Sequence, residues 1–461
     1  DSDREGFDQL PGLVPDPLFE DAEVMSGAHE TNAVWVSVRT LPDAQPGTLP
    51  LSIRVIAELL EGNGDQSSQT IELTATVTVR DASLPARRDF PITNWFYADA
   101  IFDWYRVAPW SEDFWTVART YLRNIADHGV NVTYVPLFTP PLDGVKRPTQ
   151  LVGVTREGER YRFDWSLVER WLAEAKEAGF DTFEWSHIFS QWGAVHAIRI
   201  YEGHGETETL LWVPETPATG EVYRGFLSQF LPAFERFLRD HDLMERSLFH
   251  LSDEPHGMEQ LENYRAARTM LRELAPWYTV MDALSEVAFA REGVTDVAVP
   301  KTESVPEFLA EGFDVWAYYC CFPRGPYINR LLDTPLAKIR MTGFTLYKMG
   351  VGGFLHWAVN YWYESQTRTL IDPFTESNGR RWPNWPYGDP FVVYPGPDGP
   401  LDSIRWEALA ESYQDYALLQ AAGVERDDPL LADVVDFGQF PRDPTWQHDL
   451  RRALRDRIAG E

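Results

Sequence analysis

The feature that most constrains this chain is a rhythm that begins at Phe90. Short apolar runs alternate with longer segments whose apolar residues recur at three- and four-residue spacing. Eight such units follow one another. The runs are Phe90 to Tyr97, Asn131 to Phe138, Asp181 to Ile188, Ser247 to Asp253, Tyr278 to Ala283, Asp296 to Val299, Asp314 to Cys320 and Gly353 to Asn360. Between them lie amphipathic segments such as Glu112 to His128, Asp164 to Ala178, Tyr223 to His241 and Glu259 to Leu274, and Ile404 to Ala422 closes the last unit. A strand buried on both faces and followed by a helix is the unit of a parallel sheet wrapped in helices. Eight units predict an α/β fold of the (β/α)8 TIM-barrel type. The alternative is a doubly wound open sheet. Against it, no strand is followed by a glycine-rich phosphate loop, and Gly350, Gly352 and Gly353 precede a strand.

Before Phe90 the period is two. Val34 to Val38, Leu51 to Val55 and Ile71 to Val79 alternate apolar with polar residues, separated by turn clusters at Gln45-Pro46-Gly47 and Glu61-Gly62-Asn63-Gly64. This predicts an N-terminal antiparallel β-sandwich domain over residues 1–88, followed by the barrel over 89–425. A short helical C-terminal tail over 426–461 holds one helix, Pro444 to Ile458, whose arginines suggest a solvated cap.

With 44% hydrophobic residues in 461, the chain can bury a large core. Its formal charge of −30 argues against a nucleic-acid groove or an anionic membrane surface, since both need clustered Lys and Arg. No stretch has the apolar length to span a bilayer, and no basic-then-apolar leader is visible. A soluble protein is expected, cytoplasmic or secreted. The chain opens on Asp1 rather than Met, so upstream residues are expected to have been removed and a secretion signal stays open. The two cysteines, Cys320 and Cys321, are neighbours that only a strained vicinal ring could join, so no disulfide framework is expected. Cysteine-based zinc spacing is absent, as is a helix with two His at ligand spacing, so neither a metal nor a cofactor is expected. An oligomer is compatible with all of this.

In a barrel the chemistry sits at the C-terminal ends of the strands. The fourth run ends in Asp253-Glu254-Pro255. Acidic residues also favour helix starts on electrostatic grounds alone, so the pair gains weight from its surroundings. The first run ends in Asn94-Trp95-Phe96-Tyr97, the third in Glu184-Trp185-Ser186-His187 and the seventh in Trp316-Ala317-Tyr318-Tyr319; the eighth continues from His356-Trp357 to Asn360-Tyr361-Trp362. Flat aromatic faces with polar edges suit a pyranose, which offers C–H groups on one face and hydroxyls around its rim. Trp95, Tyr97, Glu184, His187, His250, Trp316, Tyr318, Trp357, Asn360 and Trp362 are therefore the candidate substrate-binding residues. Trp357 or Trp316 is expected to stack on the sugar. His187, His250 and His356 also read as hydrogen-bonded wall residues.

Asp253 and Glu254 are the candidate catalytic pair. Neighbours on a regular strand point to opposite faces, so both reach one pocket only if the strand end is kinked, which Pro255 would favour. Adjacent carboxyls are awkward for a double displacement, which places them about 5–5.5 Å apart across the scissile bond. They suit a reaction in which a 2-acetamido oxygen of the substrate attacks the anomeric carbon, one carboxylate holding the acetamido N–H and the other protonating the leaving oxygen. Two rivals stand beside this reading. One is a two-carboxylate retaining glycosidase; there the end of the seventh run, Trp316 to Cys321, lacks a carboxylate and Glu303 is the closest substitute. The other is a non-catalytic carbohydrate-binding barrel.

Several of these stretches together resemble glycoside hydrolase family 123. They are Ser252-Asp253-Glu254-Pro255, Trp316 to Cys320 with Pro326-Tyr327-Ile328-Asn329, Gly352 to Trp362, Tyr394-Pro395-Gly396 with Ser403-Ile404-Arg405, Tyr413-Gln414-Asp415-Tyr416, and the early Pro15-Asp16-Pro17-Leu18. The resemblance implies an N-terminal sandwich, a (β/α)8 barrel and a retaining, exo-acting β-N-acetylgalactosaminidase working by substrate assistance. Its partner would be a carbohydrate with a terminal β-linked N-acetylgalactosamine. Asp253 would orient the acetamido group and Glu254 would be the general acid/base. The helical tail departs from the small β appendage the family leads one to expect.

Overall fold

The computed structural model describes residues 6, 14–21, 23–27, 30–41, 43–60, 66–140, 149–203, 208–365, 367–376 and 386–460. The expected turn at Glu61-Gly62-Asn63-Gly64 lies outside them. Along the chain, strands β1 (Gly47–Leu60) and β2 (Gln66–Val79) precede β3 (Ile92–Asn94), helices α1 (Ala98–Trp104) and α2 (Glu112–Asp127), and β4 (Val132–Val135). A hairpin of β5 (Gly153–Glu157) and β6 (Arg160–Asp164) leads to α3 (Ser166–Ala178) and β7 (Thr182–Trp185). The short pair β8 (Tyr201–Glu202) and β9 (Thr209–Leu210) precedes α4 (Glu221–Asp240) and β10 (Ser247–Phe249). Then come α5 (Gly257–Leu274), β11 (Met281–Ala283), α6 (Val287–Arg291), β12 (Val297–Val299) and α7 (Val305–Ala310). The chain finishes with β13 (Ala317–Tyr318), α8 (Leu336–Ile339), α9 (Met341–Met349), β14 (Phe354–His356), β15 (Val393–Pro395), β16 (Pro400–Asp402), α10 (Ile404–Ala421) and α11 (Pro444–Ala459).

Each apolar run named above contains one short parallel strand. Six of them form a single curled sheet in the order β10-β7-β4-β3-β14-β13. β11 and β12 pair in parallel with each other, and isolated parallel bridges tie that pair to both edges of the sheet: Phe249 to Val280 beside β10, and Ala298 to Val315 and Lys301 to Tyr318 beside β13. The strands are buried on both faces, which is why they read as continuous apolar runs. Outside them the helices carry the period of 3.6. In α4, Tyr223, Phe226, Leu227, Phe230, Leu231, Phe234 and Leu238 make one buried stripe, and each fully buried side chain of this kind contributes about 1.5–3 kcal/mol. Helix ends follow local chemistry: Ser111 Oγ caps α2 by accepting the Phe114 N–H, and Gly179, at φ 108°, stops α3 in a left-handed conformation costly for other residues.

The N-terminal part differs from the sandwich expected there. Among the described residues β1 and β2 pair only with each other, from Gly47 against Val79 to Leu60 against Gln66, while Val34 to Val38 is without a ladder. Alternation specifies a strand with one face to cover but not the sheet that covers it. On this ribbon Leu49, Val55, Ile71 and Leu73 remain exposed. A second N-terminal stretch does dock: Asp16 forms a bidentate pair with Arg405, at 2.9 Å for both contacts, and accepts from the Tyr394 hydroxyl at 2.7 Å.

The tail also differs from a solvated cap. In α11, Gln447, Leu450 and Leu454 are buried, and Arg451 Nε lies 2.8 Å from Asp415 Oδ1 on α10. No helix among the described residues is long and apolar enough to cross a membrane.

Candidate active site

Asp282, in the middle of β11, governs how the chain leaves β10. Its carboxylate accepts the Leu251 N–H at 3.1 Å, the Ser252 N–H at 3.1 Å and the Tyr264 hydroxyl at 2.5 Å, and it lies 3.1 Å from His250 Nδ1. The backbone then turns sharply. Glu254 has φ 43°, in a left-handed region that a residue with a Cβ enters only at a cost, and its N–H donates to Ala283 O at 3.0 Å. Proline alone would have pushed its predecessor into extended conformation. The kink is made instead by tertiary hydrogen bonds to β11.

The two carboxyls thereby acquire different environments. Asp253 is buried; its Oδ2 accepts from Gln191 Nε2 at 3.1 Å and its carbonyl from the Trp192 N–H at 2.8 Å. Burial pushes it well above the ordinary carboxylate range, the charges of Glu254 and Asp282 push the same way, and His250 and Gln191 pull it back. Glu254 is half-buried, and its Oε1 accepts from the Tyr318 hydroxyl at 2.5 Å. One carboxyl sits in a dry wall that favours its protonated form; its neighbour is nearer solvent and held by a phenol.

Beneath the pair lies a fully buried row. His250 Nε2 is 2.6 Å from Glu184 Oε1 and its Nδ1 faces Asp282. Burial opposes charge on this ring, but hydrogen bonds and the charges of the two carboxylates outweigh it and raise His250 to about 10. It is an imidazolium at neutral pH. Glu184 also accepts from Trp95 Nε1 at 2.8 Å and from the Thr93 hydroxyl. His187 stacks on His250 at 4.3 Å, and burial together with the His250 charge holds it well below the usual histidine value, so it is neutral. His187, His250 and Asp282 offer ligand atoms within 4.8 Å of one another. Both ring nitrogens of His250 already face carboxylates, Glu184 at 2.6 Å and Asp282 at 3.1 Å, which makes the trio a hydrogen-bonded row.

The family model Glycoside hydrolase 123, catalytic domain, matches residues 95–422, well over half of the chain. The chain belongs to glycoside hydrolase family 123. No curated protein sequence matches it significantly. Among solved structures, a family 123 glycoside hydrolase from Clostridium perfringens, analysed for glycolipid glycan hydrolysis, superposes with a TM-score of 0.65 at 14% identity. The match covers 91% of this chain and 76% of that one, and shows a shared fold. A β-galactosidase from Bacillus circulans sp. alkalophilus gives a TM-score of 0.41 at 9% identity over 72% of this chain and 57% of that one. An Ig-like-domain-containing GH10 xylanase from termite gut gives 0.38 at 10% identity over 81% and 87%.

In this family 123 chain the rim is partly as the sequence suggests. Tyr97 and Asn360 clasp each other: the Tyr97 N–H donates to Asn360 Oδ1 at 2.8 Å and Asn360 Nδ2 to Tyr97 O at 3.0 Å. The Tyr97 hydroxyl donates to Trp357 O at 2.9 Å, and half-buried Trp357 donates from Nε1 to Asp389 Oδ2 at 3.0 Å. Tyr318 holds Glu254 directly, whereas Trp95, Glu184, His187 and His250 are buried together in the row around the His250 ring. Two tryptophans lie elsewhere. Trp316 precedes β13, and its ring covers Gly352 and Gly353 before the start of β14, the strand end opposite the carboxyls. Trp362 is buried, donates to Val393 O at 3.1 Å and packs on Trp104 and Tyr121. Gln191 and Asp282 were not among the sequence candidates. Asp282 leaves a signal, a lone carboxylate inside the apolar run Tyr278 to Ala283; Gln191 leaves none, since it enters through a long insertion.

Proposed function

We propose that the eight parallel strands act as one closed (β/α)8 barrel and that the protein is a retaining, exo-acting β-N-acetylgalactosaminidase using the substrate's 2-acetamido group as nucleophile. The observation that carries this reading is the adjacent pair beyond β10, Asp253 held by Gln191 and Glu254 by Tyr318. Asp253, anchored by Gln191, would accept the acetamido N–H and, as its carboxylate, stabilise the oxazolinium that forms; Glu254, steadied by Tyr318, would give its proton to the leaving oxygen and later take one from water. The other nearby carboxylates are engaged, Asp282 and Glu184 with His250 and Glu303 with Lys301 at 3.5 Å. This engagement favours the acetamido group over a second carboxylate as the nucleophile. The glycolipid glycan hydrolysis ascribed to the Clostridium perfringens relative makes a glycan ending in β-linked N-acetylgalactosamine the substrate to try first.

The test is a panel of aryl β-glycosides. Turnover of the N-acetylgalactosaminide, inhibition by a galacto-configured thiazoline and no turnover of the plain β-galactoside are expected. Efficient β-galactoside cleavage, or a sugar trapped on an enzyme carboxylate, would sink the substrate-assisted mechanism. Binding without turnover across the panel would favour a silent carbohydrate-binding barrel.

A further inference from the structure

β13 runs into two thiols that the proposed reaction does not use. Both cysteines are free; Cys320 is buried and Cys321 half-buried, and their Sγ atoms stand 3.7 Å apart. The connecting backbone is clamped: Asn329 Nδ2 donates to Cys320 O at 2.8 Å, Arg324 Nε to Cys321 O at 2.7 Å, and the Cys320 N–H to Phe322 O at 2.9 Å. Two residues before Cys320, Tyr318 carries the hydroxyl that holds Glu254. We propose that Cys320 and Cys321 are a reversible redox modification site, at which a small-molecule disulfide closes a vicinal disulfide and thereby disturbs the Tyr318 contact with Glu254.

Access divides the roles. The Cys321 thiolate attacks one sulfur of the disulfide RSSR, breaking its S–S bond and releasing a thiolate that takes up the proton Cys321 lost. Cys320 then yields its proton to solvent, its sulfur attacks Cys321 Sγ, and the second thiolate leaves and is protonated. Two protein thiols lose two electrons and RSSR becomes two RSH. The neighbouring Cys321 sulfur, burial and the Glu254 charge all push the Cys320 thiol up, which suits it to the later, intramolecular attack rather than the first. Closing the bond brings the sulfurs to about 2.05 Å and reshapes the clamped peptide. The strain falls on the strand end that carries Tyr318.

The activity change rests on Glu254 being the acid/base; ring formation does not. The reduced full-length protein is exposed to hydroxyethyl disulfide, free thiols are alkylated, and intact mass, peptide map and rates on aryl glycosides with good and poor leaving groups are measured. Expected are a loss of two hydrogens, no alkylation at either cysteine, a more than ten-fold fall with the poor leaving group and a smaller one with the good, all reversed by dithiothreitol. Cys321→Ser should keep its basal activity and ignore the oxidant. Both thiols still alkylated, or a lasting mixed disulfide on Cys321, overturns the site. A ring with unchanged rates overturns its coupling to Tyr318. Should no glycoside be cleaved, the mass measurement alone decides the ring, and the failure belongs to the proposed function.

Discussion

Ionising Asp253 puts a charge into a wall that already holds Asp282 and Glu254. Because its folded value lies above the unfolded one, the folded state binds the proton more tightly, so stability is lost as pH rises from about 4 and the full cost is present above the folded value. Asp253→Asn removes that cost. It should abolish most turnover on every substrate yet raise Tm near neutral pH, with the gain fading toward about pH 4; a lower Tm at neutral pH would contradict the reading. If the ionised form is the working one, wild-type kcat/KM should fall on the acid side at a pH above the ordinary carboxylate range. Glu254→Gln should behave differently. It should lose about 10²–10⁴-fold on substrates whose leaving group needs a proton and far less on an activated phenol, and equal losses on both would remove the acid role.

At the scale of elements, the aromatic strand ends divide into two kinds. Trp316 fills space that Gly353 leaves open, where a Cβ would stand 2.5 Å from the ring. Trp316→Ala should therefore cost about 3–5 kcal/mol of stability, measured by denaturant unfolding, while kcat of the folded fraction stays near wild type. Trp357→Ala should reverse that pattern, lowering kcat/KM more than stability, because its half-buried ring stands at the strand end that carries the site. The runs Phe90 to Tyr97 and Gly353 to Asn360 announce strands β3 and β14 in the sequence, and the position of Asp253 and Glu254 at a strand's C-terminal end is equally legible. What a given side chain faces is not. Trp316, just before β13, and Tyr318, within it, are two residues apart, and the sequence offers no means of telling the packed ring from the one beside Glu254.

Across the whole molecule, the buried pair of Asp16 and Arg405 ties a segment near the start of the chain to the N-terminus of α10. Arg405 also donates to the carbonyls of Arg330, Gly388 and Phe391, so its removal would strip several acceptors at once. Asp16→Ala leaves the guanidinium buried without its counter-charge and should destabilise by about 3–5 kcal/mol in denaturant titrations. An unchanged midpoint would mean that this segment detaches before the α/β core unfolds. The tail shows the same dependence on distant partners: the arginines of α11 look like solvent-facing charge in sequence, and Arg451 meets Asp415 only because α10 and α11 pack together.

The sequence by itself determined the order of the eight parallel strands, because burial on both faces demands continuous apolar runs, but not the hairpins β5–β6, β8–β9 and β15–β16 set between and after them. It also determined which strand the paired carboxyls follow, β10. Tertiary structure decided the rest. The β1–β2 ribbon has the alternation of a sandwich strand, and alternation names no partner sheet. The kink at Glu254 is held from β11, about thirty residues away, by Asp282 and the Ala283 carbonyl, through hydrogen bonds whose energy depends on geometry that only the packed strands supply. The charge on His250 has the same origin: two carboxylates from separate strands must converge on one ring before burial, which alone would neutralise it, is overruled.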